Sequence, residues 1–217
     1  MTIEVFQNLD ISFPELETES FINDLTNILA EGWTRDIELE NKVNNDANVY
    51  NTQYYCFKCD ETEDRKAATL WLIKSTGGLK VNNITPAISG RLSYSEYNAI
   101  LNEFHKEYIL PICNKKNFET RLSKANITID DWAEPATVKA LKLFSVCANK
   151  GTGRGHPLDD ERWMDFVLTA HEVNDSLHSE DLRRWLVEEE KWFDEIAWKL
   201  CEDYEYGRQL LKKYEQS

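Results

Sequence analysis

No stretch of this 217-residue chain approaches the run of about 18–20 apolar residues that a membrane-spanning helix needs. The opening residues, Met1 to Gln7, lack a basic segment followed by an apolar run, so no secretory signal is expected there. In that setting Asn83-Ile84-Thr85 and Asn126-Ile127-Thr128 read as chance matches to the glycosylation pattern. Cysteine is sparse: Cys56, Cys59, Cys113, Cys147 and Cys201 are an odd, scattered set in a chain long enough to bury a core without staples. Reduced thiols and a cytoplasmic location are the expectation. There is no GxSxG, HExxH, GxGxxG or EF-hand pattern, no internal repeat and no low-complexity linker.

Positive charge is also in short supply. The chain has 25 basic against 39 acidic residues, a net charge of -14. Residues 1–128 carry 19 acidic and 13 basic side chains, and residues 129–217 carry 20 and 12. No basic region is hidden behind an acidic tail, so nonspecific binding to nucleic acid is excluded as an expectation. An acidic surface keeps a protein soluble and steers basic partners toward it.

The hydrophobic pattern predicts an α+β fold: an N-terminal antiparallel sheet with helices on one face, followed by an all-helical C-terminal part. The domains expected are 1–128 and 129–217. Phe21, Leu25, Ile28 and Leu29 recur at helical spacing, with Gly32 at the C-terminal end. Trp33 to Glu40 alternates as a half-buried strand does, and the Asn-rich stretch 43–53 reads as a loop. Tyr54–Cys59, Thr69–Ile73 (covered on both faces) and Leu79–Ile84 follow as a meander, with a tight link at Gly77-Gly78. Ser93-Tyr94-Ser95-Glu96 is a capping box for a helix with Tyr97, Ile100, Leu101, Phe104 and Tyr108 on one face, ended by Pro111. Residues 114–131 read as a polar connection.

From Glu134 onward the pattern is helical. Val138, Leu141, Leu143, Phe144 and Val146 put apolar groups on several sides of a helix over 136–148, which predicts a central position. Trp163, Phe166, Val167 and Ala170 form the inward stripe of the next helix. Leu182, Trp185 and Leu186 anchor a short one, a bend follows at Lys191–Asp194, and Ile196, Ala197, Leu200, Cys201 and Tyr204 line the last.

Three constellations are candidates for chemistry. Gly151-Thr152-Gly153-Arg154-Gly155-His156 precedes a helix, where backbone N–H groups and the helix dipole favour anions. The loop lacks the GxxxxGK[ST] pattern and follows no predicted strand. Asp159, Asp160 and Glu161 stand where a phosphate would lie. The plainer reading is a flexible inter-helix loop with Asp159 as N-cap. Arg154 and His156 could instead contact a ligand or partner, and His156, Asp159 and Asp160 could bind a metal or exchange protons. Cys56-Phe57-Lys58-Cys59 has CxxC spacing, but no second pair exists and a strand points the two thiols to opposite faces. His105, His171 and His178 are isolated.

The third constellation is Glu188-Glu189-Glu190-Lys191-Trp192-Phe193-Asp194-Glu195, in a helical half that holds four of the seven tryptophans (Trp163, Trp185, Trp192, Trp198). Aromatics flanked by acids suit a recognition surface, although tryptophans more often fill a core. A helix-turn-helix around Arg183-Arg184 is excluded, because Asp194, Glu195, Glu202, Asp203 and Glu205 would face the phosphates.

The expectation is therefore a non-enzymatic acidic protein of the immunity, antitoxin or defence type from a bacterial or phage system. It would engage a basic partner protein through Arg154, His156, Glu188, Glu189, Glu190 and Trp192, with no cofactor and no metal, and with room for a homo-oligomer. The alternative is a metal-dependent hydrolase or nuclease with His156, Asp159 and Asp160 near the Gly151–His156 loop.

Overall fold

The computed structural model describes residues 2–46 and 52–217. The chain divides into two compact units, Glu4–Ala125 and Met1–Ile3 with Asn126–Ser217. The strand β1 (Ile3–Glu4) brings Ile3 into the core of the second unit.

The first unit is α+β. Its elements are β2 (Leu9–Ser12), α1 (Thr18–Ile28), β3 (Trp33–Arg35), α2 (Ile37–Asp46), β4 (Tyr54–Cys59), β5 (Ala68–Ser75), β6 (Gly78–Pro86), α3 (Tyr94–Phe104), α4 (Leu110–Lys116) and β7 (Glu119–Leu122). The strands form one six-stranded antiparallel sheet in the order β3-β4-β5-β6-β2-β7. Alternation sends Leu9 and Ile11, then Tyr55, Phe57 and Cys59, and then Leu70 and Leu72 to the core face. Phe21, Ile22 and Leu25 of α1 and Ile100, Leu101 and Phe104 of α3 cover that face. Along β6 the inward residues are Leu79, Val81 and Ile84, which breaks a period of two. The register supplies the reason: Trp71 faces Asn83 while Leu72 faces Val81, so Asn82 is an extra bulged residue that resets the phase. On the opposite face Trp71 and Ile73 are only half-buried, so β5 is not fully covered on both sides.

Gly78 in the β5–β6 turn has φ +151°, and a Cβ there would lie 1.9 Å from the Ile11 carbonyl oxygen. Only glycine fits both conditions.

Three segments depart from the sequence pattern. The strand expected over 33–40 stops at Arg35, because Asp36 caps α2: its Oδ1 accepts the Leu39 N–H at 2.9 Å. Residues 43–46 belong to that helix, whereas 47–51 of the expected loop lie outside the described residues. Pro111 does not end its helix. A π turn at His105–Ile109 separates α3 from α4, with the Leu110 N–H bonded to His105 O, and the helix resumes around a proline that has no donor to lose. The stretch 114–131, expected as a connection, contains β7, which pairs with β2 through Leu9–Leu122 and Ile11–Thr120.

The second unit comprises β8 (Asn126–Ile127), α5 (Ile129–Trp132), α6 (Pro135–Cys147), α7 (Pro157–Glu172), α8 (Ser179–Arg184) and α9 (Asp194–Glu215). A further π turn, Trp185–Glu189, follows α8. β8 pairs with β1. Phe144, Trp163, Phe166, Trp185, Trp192 and Tyr204 fill the core. Phe144 stacks on Trp192 with ring centroids 5.4 Å apart, and Phe166 stacks on Tyr204 at 5.2 Å. The expectation that α6 is central is overturned. Its inner face is Thr137, Val138, Leu141, Phe144 and Ser145, while Leu143 and Val146 are 56% and 80% exposed. No helix among the described residues is long and apolar enough to cross a membrane.

Candidate functional site

The glycine-rich loop is a compact turn built around Asn149. The Asn149 side chain accepts the Gly151 N–H at 2.8 Å, and its carbonyl accepts those of Thr152 at 3.1 Å and Gly153 at 2.8 Å. These donors face inward, so they do not form an anion cradle. Gly153 has φ +68° and sits close enough to α9 that a Cβ would approach Ile196 Cγ2 to 3.1 Å. Arg154 staples the loop to two helices, reaching Asp160 on α7 at 3.0 Å and Asp203 on α9 at 2.7 Å.

The N-cap of α7 is His156, not Asp159. Pro157 takes the first helical position, which forces the residue before it into the extended cap conformation. His156 Nδ1 then accepts the Leu158 N–H at 3.2 Å. Asp159 turns inward and binds Arg162 at 2.7 Å, and Asp160 is held by Arg154. Each of these three side chains already has a partner of its own. No group of three or more His, Cys, Asp or Glu among the described residues is disposed to hold a metal ion.

The acidic run after α8 is largely internal bonding. Trp192 is only 3% exposed; its indole N–H donates to Ser145 Oγ at 2.9 Å and its ring stacks on Phe144. Ser145 Oγ in turn donates to Glu190 Oε2 at 2.7 Å, and Lys150 joins the same carboxylate at 3.1 Å. Glu188 is exposed but paired with Arg184 at 2.8 Å. Glu189 is half-buried on the π turn. Of the residues singled out by sequence here, Trp192 is core and Glu190 closes the loop beside it.

The other titratable candidates are structural. Cys59 faces the main core and Cys56 lies on the opposite face of β4; burial pushes the Cys56 thiol up to about 12. His105 bonds Thr120 Oγ1 at 3.1 Å, and burial lowers its pKa. His171 meets Glu215 at 2.9 Å. A groove of about 780 Å³ runs along the outer stretch of β6, beside Phe6, Tyr94 and Tyr97. Its strand edge is closed to β-addition: Asn83 Oδ1 takes the Ile84 N–H at 2.8 Å, and Pro86 has no N–H.

A cleft of about 310 Å³ between α8 and α9 has a different character. The two helices are tied at both ends. Ser179 donates to Glu205, and Arg183 Nη2 donates to both carboxylate oxygens of Asp194 at 2.6 and 2.8 Å. The Arg183 guanidinium also lies 5.5 Å from the ring centroid of Trp198, whose indole is 54% exposed. Cys201 lines the floor, its thiol raised to about 12 by burial and so uncharged at neutral pH. Glu180 and Glu202 complete the lining and make no hydrogen bond or ion pair among the described residues.

The signal for this site was present in the sequence. Glu195, Trp198, Glu202 and Glu205 fall at helical spacing i, i+3, i+7 and i+10, off the apolar stripe of α9. Of the four tryptophans in this half, Trp163, Trp185 and Trp192 are buried and Trp198 faces out. Comparison of the chain with protein-family models, curated proteins and solved structures gives no match.

Proposed function

We propose that the chain is a non-catalytic binding protein that recognises a basic segment of a partner protein through the outer face of α8 and α9. One observation carries this reading: Trp198 stands half-exposed in a cleft where Glu180 and Glu202 have no cationic partner among the described residues. An indole beside carboxylates offers a large contact area, and the charge steers a basic partner to it. The unit around the cleft carries 20 acidic and 12 basic side chains, which supports the same polarity. The recognition set is thus Trp198, Glu195 and Glu202, in place of Trp192 and Glu190. Arg154 and His156 serve the α7 end of the unit. Such a protein would act by occupancy, as an immunity protein or antitoxin does. Five unpaired thiols suit the reducing cytoplasm.

The test is calorimetric titration with a lysine- and arginine-rich peptide at low and high salt. Saturable binding that weakens with salt, and weakens further in Glu195→Lys/Glu202→Lys, supports the reading. Affinity unchanged by that double reversal at low salt rules it out.

A further inference from the structure

Resting on that reading of a basic partner, we propose that the α8–α9 cleft is a pocket for a single arginine side chain of that partner. Three features select this group. The first is size: about 310 Å³ lies at the lower end of the about 300–1,000 Å³ range of ligand pockets, which suits one side chain. The second is charge. Glu180, Glu202, Glu205 and Asp194 surround one cation, Arg183, and Asp194 already neutralises it through two bonds. The third is the indole. Arg183 lies against the Trp198 ring, which remains 54% exposed for a second planar cation. A guanidinium stacks on an aromatic ring and bonds carboxylates through a flat fork of donors; an ammonium does neither as well. The uncharged Cys201 floor lets the aliphatic stem of the arginine enter without stranding a polar group.

The experiment is nitrogen-15 NMR of the full chain titrated with acetyl-Gly-Arg-Gly-amide, then with the lysine analogue, reading the Trp198 indole N–H. The expected result is a saturable shift with the arginine peptide at a millimolar dissociation constant. It should weaken about tenfold in Glu180→Gln/Glu202→Gln, an isosteric pair of exposed changes, with the melting temperature unchanged. The lysine peptide should bind several-fold more weakly. A response that stays linear in peptide, survives the double variant, or is equal for lysine overturns the arginine pocket. A polylysine titration separates the two claims. If polylysine binds and the arginine peptide does not, the pocket falls and the acidic face stands. If neither binds the wild-type chain, the binding function falls with it.

Discussion

In the sheet unit, Glu40 and Asn44 of α2 turn inward to the backbone of β4; in the helical unit, Glu180 and Glu202 are exposed and make no hydrogen bond or ion pair among the described residues. The contrast begins with an edge. β3 covers β4 only from Phe57 to Cys59, and past its end the Asp36 N–H still reaches the Cys56 carbonyl at 2.9 Å, which leaves the Cys56 N–H and the backbone of Tyr54 without a strand partner on that side. α2 takes over where β3 ends. Glu40 accepts the Cys56 N–H at 3.2 Å, and Asn44 both accepts the Tyr54 N–H at 2.8 Å and donates to its carbonyl at 3.0 Å. Four residues of helix rise about 6 Å and two residues of strand about 6.8 Å, so an i, i+4 pair on α2 matches an i, i−2 pair on β4. Polar groups here complete the sheet unit's own backbone. The helical unit does the reverse with its apolar groups. Of the large hydrophobic side chains exposed among the described residues, eleven lie in it and five in the sheet unit. Phe193, Trp198, Tyr206, Leu210 and Tyr214 follow one another at or along α9. One unit is closed on itself, and the other keeps aromatic surface outward, where partners bind.

The sharpest way to separate these two uses of side chains is a pair of tryptophans six residues apart. Trp192→Ala removes a buried, hydrogen-bonded indole and should cost about 3–5 kcal/mol, read by chemical denaturation. A cost below about 1 kcal/mol would mean that Trp192 is not core. The edge closure breaks next. Glu40→Ala leaves the guanidinium of Arg35, now paired with Glu40 at 2.5 Å, without its partner, and strips the Cys56 N–H. About 3 kcal/mol is expected, from the loss of one member of a buried pair. Asn44→Ala leaves two β4 backbone groups unsatisfied and should cost about 1–3 kcal/mol, with a greater tendency to associate through the bared strand.

These elements also mark where sequence sufficed. The meander, the Gly77-Gly78 turn and the Ser93 capping box were legible because each rests on a local rule: alternation, positive φ, a reciprocal side-chain cap. The edge of β4 was not legible. The alternation of Trp33–Glu40 fits a strand as well as the start of α2, and only the Asp36 cap decides between them. Pro111 misled because the adjacent π turn, set by packing of Tyr108 and Ile109, absorbs it. Leu143 and Val146 misled because a helix apolar on several sides reads as buried until its neighbours are known. In the site, Arg154 and His156 were visible as loop residues, but the salt bridge from Arg154 to Asp203 spans 49 residues of sequence and has no local trace.

Smaller effects sharpen the comparison further. The Lys66 ammonium, with the Ser93 backbone and hydroxyl groups, lowers the Glu96 carboxyl to about 2. A depressed carboxyl stabilises the fold above its ordinary range and loses that contribution as pH falls toward about 2. Carbon-13 NMR of Glu96 should show this low titration, and Ser93→Ala should move it upward while costing about 1 kcal/mol of helix-start stability. Thiol labelling of the native protein should modify Cys147 alone, since Cys56, Cys59, Cys113 and Cys201 are buried. Rapid labelling of a second thiol would contradict the packing of whichever unit holds it.

The central claim is that Trp198 belongs to recognition and not to the core. Its most direct test is Trp198→Ala, measured for melting temperature and for affinity to an arginine-rich peptide at low salt. The account predicts affinity about tenfold weaker and a melting temperature within about 2 °C of wild type. Unchanged affinity, or a loss of stability on the scale of Trp192→Ala, would contradict it.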